Sequence, residues 1–120
     1  MTKVSMFHNP RCSKSRQTMA ILEERGVDIH VIDYLNSPPN MEFLEEVLAK
    51  LNVEPLDIIR TKETLFKELG LTKKDERTRE EWLEILVKHP KLIERPIVIR
   101  GGRAVIGRPP ENALTLLNNA

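Results

Sequence analysis

Short apolar runs alternate along the chain with segments in which apolar residues return every three or four positions. Lys3 to Phe7 is short and apolar-leaning, which predicts a first strand, and Asn9-Pro10 predicts the turn that ends it. Ser15, Thr18, Met19 and Leu22 then fall on one face of a helix, with Ser13 as the expected N-cap and Gly26 as its C-terminal stop. Ile29 to Asp33, short and β-branched, predicts a second strand. Asn36-Ser-Pro-Pro-Asn40 reads as a loop with capping residues, and Leu44, Val47, Leu48 and Leu51 mark the next helix. The stretch from Asn52 to Arg77 is broken into helical patches at Leu56 to Arg60 and Glu63 to Leu69, then Gly70 and a charged run. Thr78 with Glu81 has the capping-box spacing, so a helix carrying Trp82, Ile85, Leu86 and His89 is expected up to Pro90. Pro96 to Ile99 and Ala104 to Ile106 predict two strands around Gly101-Gly102, a pair that suits a tight hairpin. Ala113, Leu116, Leu117 and Ala120 predict a closing helix.

The element order is strand, helix, strand, helices, hairpin, helix. A strand-helix-strand unit followed by a hairpin and a helix is the skeleton of a thioredoxin-like fold. The expectation is therefore an α/β protein with a mixed four-stranded sheet and flanking helices. It forms one domain over residues 1–120, with a helical insertion at about 36–94.

Composition narrows the function without naming it. The 120 residues are enough for one domain, and 40% hydrophobic with 31% charged residues is ordinary globular usage. A net charge of +1 supplies no broad field to attract nucleic acid or an anionic membrane, and no apolar run approaches a membrane span. One cysteine excludes an intrachain disulfide, and three scattered histidines argue against a structural zinc site. The opening residues carry no leader pattern. Composition gives the expectation of a small, soluble, cytoplasmic domain; that it is a monomer needing no cofactor or metal is an expectation of the chemistry and not of the composition.

That cysteine, Cys12, follows a strand and a turn and opens a helix. The first N–H groups of a helix are unpaired and its dipole is positive there, so a thiolate is stabilised. A lone cysteine is ordinarily a small buried apolar residue. Here its position, and the neighbours His8, Arg11, Lys14 and Arg16, favour a reactive role. Ser15 stands where a second cysteine of a C-x-x-C pair would be, and Thr18 where a C-x5-R phosphatase loop needs arginine. Any disulfide formed by Cys12 must therefore involve another molecule. His8 either holds a proton near the thiol or caps the strand end, and His30 and His89 read as structural. Arg60, Arg95 and Arg108 are the remaining candidates, but their spacing alone does not bring them together.

The motifs His8-Asn-Pro-Arg-Cys12-Ser-Lys-Ser-Arg16, Tyr34-Leu-Asn-Ser-Pro-Pro39, Arg60, His89-Pro90, Glu94-Arg-Pro-Ile-Val98 and Gly107-Arg-Pro109 run through nearly the whole chain. In that order they resemble the glutaredoxin-coupled arsenate reductases, the ArsC-like branch of the thioredoxin-fold superfamily. Ser13 departs from the glycine usual after the family's cysteine. The resemblance implies that Cys12 is the nucleophile, that His8 helps lower its pKa and that the Ser15 hydroxyl at the helix start supports the thiolate. It implies that Arg60, Arg95 and Arg108 bind the anion and that the bond before Pro96 is cis. Arsenate would be the substrate, glutathione the co-substrate and glutaredoxin the protein partner. The alternatives are a glutathione-dependent thiol–disulfide reductase, or a redox-related transcriptional regulator that binds RNA polymerase.

Overall fold

The computed structural model describes residues 2–117. They form two compact units, one from residues up to Ser37 together with those from Arg95 onward, the other from Pro38 to Glu94.

The first unit is built on a four-stranded sheet in the order β2-β1-β3-β4, with β1 (Lys3–Phe7), β2 (Asp28–Ile32), β3 (Ile97–Arg100) and β4 (Arg103–Ile106). Helix α1 (Ser13–Glu24) carries the chain from β1 to β2, which makes that pair parallel, from Lys3 opposite Asp28 to Phe7 opposite Ile32. Strand β3 runs antiparallel to β1, with Phe7 opposite Ile97, and β4 antiparallel to β3, with Ile97 opposite Ile106. This is the thioredoxin-like arrangement expected from the element order. Its register has one consequence for chemistry. The chain leaves β1, enters β3 and leaves β4 at the same end of the sheet, so the segments around Cys12, Arg95 and Arg108 meet there.

Alternation along the strands sends Val4, Met6 and Val98 to one face, where they pack with Leu22, Val27, Ala113 and Leu116. Met19 and Val105 join that core partly buried. On the opposite pleat Phe7 stacks on Tyr34, ring centroids 5.4 Å apart. The hairpin joining β3 and β4 turns on Gly101, which takes a φ of 57°, while Gly102 stays outside the left-handed region. A positive φ at the first central position alone is the II′ pattern, which follows strand twist.

Several expectations are corrected here. The N-cap of α1 is Cys12, in extended conformation with φ −92° and ψ 122°, and Ser13 is the first helical residue. The second strand begins one residue earlier than expected, at Asp28, and ends at Ile32. The closing helix is a 3-10 segment, Pro110–Leu116, and not an α-helix. Its buried residues Pro110, Ala113 and Leu116 recur every three positions, which stacks them directly above one another at three residues per turn. The expected Ala120 contribution lies outside the described residues. The peptide bond before Pro96 is cis, as the resemblance implied, and so is that before Pro109.

The second unit is helical, with α2 (Met41–Leu51), α3 (Thr64–Glu68) and α4 (Arg79–Lys88). The patch expected at Leu56 to Arg60 is a 3-10 turn, Pro55–Ile58. Asn40 caps α2 by accepting from the Phe43 N–H, and Thr78 and Glu81 close the expected capping box on α4. Phe66 stacks on Trp82, and Arg79 bridges Glu45 and Glu54. Among the described residues no helix is long and apolar enough to cross a membrane.

Because the Thr78 hydroxyl accepts from Glu81 N–H at 3.1 Å, Thr78→Ala should lower unfolding free energy by about 1 kcal/mol, read from urea denaturation.

Candidate active site

The turn between β1 and α1 is organised by Asn9. Its carbonyl accepts from the Cys12 N–H at 2.9 Å, and its side-chain Oδ1 accepts from the Arg11 N–H at 3.0 Å. Its own N–H donates to Ser15 Oγ at 3.1 Å. These bonds fold the chain back so that Cys12 arrives at the start of α1, where its carbonyl accepts the first helical bond from Arg16 at 3.0 Å. Arg16 Nη1 ties the turn further by donating to the Pro10 carbonyl at 2.8 Å.

Cys12 is buried, with 8% of its surface exposed. Burial is the largest influence on its thiol and pushes the pKa up. The Ser15 N–H, the Arg95 guanidinium and the Lys14 N–H outweigh it, and the thiol lies below its ordinary 9.0. Cys12 thus occupies the position of an N-cap acceptor, with the Lys14 and Ser15 N–H groups facing the sulfur without closing an ordinary capping bond. Arg108 Nη2 approaches the sulfur at 3.6 Å, while its Nε donates to the Arg95 carbonyl at 2.8 Å. Two guanidinium groups, one before β3 and one after β4, therefore reach one sulfur.

His8 and Ser15 are held against each other, His8 Nδ1 lying 2.7 Å from Ser15 Oγ. Burial pushes the imidazole below its ordinary 6.5, the charge of Arg16 adds to that, and Glu23 opposes it. With Ser15 Oγ already accepting from Asn9, its hydroxyl proton is free to go to Nδ1 of a neutral ring. His8 thus touches the site through Ser15, and Ser15 faces the sulfur with its backbone N–H while its hydroxyl serves the turn.

Arg60 belongs to the helical unit. Its N–H donates to the Leu92 carbonyl at 2.7 Å, and Nη2 lies 3.5 Å from a Glu63 carboxylate oxygen. Among the described residues its Nη1 is buried without a hydrogen-bond partner, a donor ready for an acceptor. His30 is exposed on β2, and His89 forms the C-cap of α4. Among the described residues no group of three or more His, Cys, Asp or Glu side chains is gathered to hold a metal ion.

Asn9 and Gly107 escaped the sequence reading as site residues. For Asn9 the signal was present, since an Asn-Pro pair beside a helix start invites an Asx turn. For Gly107 it was not, because its role depends on a neighbour distant in sequence.

Folding favours the thiolate of Cys12. A group with a lowered folded pKa contributes stability that is present above 9.0 and lost as pH falls through the folded value. The stability difference between the wild type and Cys12→Ser, read by urea denaturation across pH, should be widest at the alkaline end and narrow on acidification. Arg95→Gln should raise the midpoint of Cys12 alkylation. At a fixed pH below the midpoint the rate then falls about tenfold for each unit of rise.

Comparison with known proteins identifies the family. Residues 7–116 match the family model described as the ArsC family. An arsenate reductase of Neisseria meningitidis serogroup A is 42% identical over 118 residues, covering 98% of this chain and 100% of the relative. An uncharacterized protein of Escherichia coli K12, YfgD, is 46% identical over 120 residues, covering 98% and 99%. The solved structure of an arsenate reductase from Vibrio cholerae superimposes with a TM-score of 0.91 at 42% identity, over 96% of this chain and 98% of the other. With a thiol-bearing helix start, two arginines at the sulfur and a family match that spans both, the chain belongs to the ArsC family.

Proposed function

We propose that this protein is an arsenate reductase in which Cys12 is the nucleophile and glutathione and glutaredoxin supply the external thiols. The observation that carries the reading is the convergence of Arg95 and Arg108 on a sulfur whose pKa is lowered at a helix N-terminus. The relatives from Neisseria meningitidis and Vibrio cholerae, which bear the name arsenate reductase, support it.

The electrostatics explain why such a cradle is needed. Arsenate near neutral pH is an anion, and a thiolate must approach it against like-charge repulsion. At about 4 Å and an effective dielectric of about 20, one charge pair costs about 4 kcal/mol. At about 1.4 kcal/mol per tenfold, that slows the encounter by roughly three orders of magnitude. Guanidinium groups offset it, because they stay charged and their planar fork matches two oxyanion oxygens. In this reading Arg95 and Arg108 hold the anion beside the sulfur. Ser15 and Lys14 support the thiolate through their N–H groups, and His8 steadies Ser15.

The reaction balances with one enzyme thiol. The Cys12 sulfur displaces one arsenate oxygen, which leaves as water after protonation, and a sulfur–arsenic bond forms. Glutathione attacks that adduct. Arsenic gains two electrons as the Cys12 and glutathione sulfurs join, releasing arsenite and leaving Cys12 in a mixed disulfide with glutathione. Glutaredoxin then exchanges thiol for disulfide and restores Cys12. Because the chain has one cysteine, the second sulfur must come from outside.

The test is arsenate-dependent NADPH oxidation, coupled through glutaredoxin, glutathione and glutathione reductase. The wild type should produce arsenite, and Cys12→Ser should fall to the uncatalysed background. Undiminished arsenite formation by Cys12→Ser would remove the nucleophile. A wild type that reduces a glutathione mixed disulfide but leaves arsenate untouched would establish a thiol–disulfide reductase instead.

A further inference from the structure

The contact beneath the two arginines lies between Gly107 and helix α1. A Cβ placed on Gly107 would stand 2.7 Å from Thr18 Oγ1, 3.3 Å from Thr18 Cγ2 and 2.7 Å from Pro96 Cγ. Real side chains do not approach so closely, so glycine is the residue that fits the slot. By contrast Gly102, at the tip of the same hairpin, has open space around it. The slot is firmly walled. Thr18 is fully buried, and its hydroxyl is committed to the Lys14 carbonyl at 2.8 Å, which fixes its rotamer. The Gly107 N–H donates to the Pro96 carbonyl at 2.9 Å, which joins the end of β4 to the start of β3.

The residues flanking this slot are those that reach the sulfur. Arg95 immediately precedes Pro96, and Arg108 immediately follows Gly107. Arg108 is braced on the Arg95 carbonyl and lies 3.6 Å from Cys12 Sγ. Thr18 stands on the helix that Cys12 caps. The packing of Gly107 on Thr18 therefore sets the separation between the helix that holds the sulfur and the hairpin that holds both guanidinium groups.

We propose that Thr18 and Gly107 are positioning residues for Cys12, a steric gauge that seats Arg95 and Arg108 at contact distance from the sulfur. A side chain at position 107 would push the hairpin end away from α1 and lengthen the guanidinium–sulfur contacts. Interactions of this charge-assisted kind weaken with separation. The inference rests on Cys12 being the reacting thiol but not on arsenate being its substrate.

The test follows the pH dependence of Cys12 alkylation by an uncharged haloacetamide, which needs neither arsenate nor glutathione. It is run on full-length wild type, Gly107→Ala, the double variant Thr18→Ala/Gly107→Ala, and Gly102→Ala, with a thermal melt for each. Gly107→Ala should shift the alkylation midpoint upward and slow the neutral-pH rate by about tenfold. The double variant, which clears two of the three obstructing atoms and leaves only the pliable Pro96 ring, should recover most of that rate. Gly102→Ala should behave as wild type, which separates the gauge from the general effect of replacing glycine. A folded Gly107→Ala with the wild-type alkylation profile would overturn the proposal, and so would a slowed rate that the double variant fails to relieve. If Gly107→Ala does not fold, a double variant that folds with near wild-type alkylation supports the gauge, and one that stays unfolded overturns it.

Discussion

A sulfur taken out of water resists ionisation, and the architecture of this site is the set of interactions that reverses the resistance at Cys12. Burial alone would hold the proton on. The unpaired N–H groups at the start of α1 and a guanidinium from the entry to the neighbouring strand β3 tip the balance toward the thiolate. The sheet makes that meeting possible. Its register brings the exit of β1, the entry to β3 and the exit of β4 to one end, although Cys12 and Arg108 are 96 residues apart in the chain.

The polar residues of the turn are divided by task. Burial and the charge of Arg16 disfavour the charged form of His8, and it bonds to a hydroxyl, not to the sulfur. Positive charge comes from arginines, which cannot lose it. The site thus keeps a permanent cationic side and a neutral hydrogen-bonded side that holds the turn together. On the arsenate reading this separation places full charge where an oxyanion sits and leaves shape to the neutral groups.

Much of this was legible from the residues in order. The strand, turn and helix around Cys12 follow from an apolar run, Asn9-Pro10 and a helical face, and the capping box at Thr78 was readable from spacing alone. The misread cap is instructive. Ser13 carries the better capping hydroxyl, but the Asn9 turn places Cys12 in extended conformation and makes it the cap. Ala113, Leu116 and Leu117 fit an α-helical face. The buried set instead includes Pro110, and the Asn112 and Leu117 N–H groups donate three residues back, to the Pro109 and Leu114 carbonyls, so the segment winds more tightly. Arg95 and Arg108 could be named from motifs but not placed, because only strand register brings them to the sulfur. The packing role of Gly107, a residue quoted only within a motif, was invisible for a related reason. A missing side chain acquires meaning only when the atoms that would collide with it are known.

Two of the donors that face the sulfur are main-chain amides, which every non-proline residue offers alike. No ordinary exchange of side chain at positions 14 or 15 deletes them. Heritable adjustment of this thiol's acidity is thereby channelled elsewhere, into the cation at position 95 and the geometry of the chain around it. A lineage drifting at this site would retain the backbone's share of thiol acidity and vary what burial and guanidinium chemistry add.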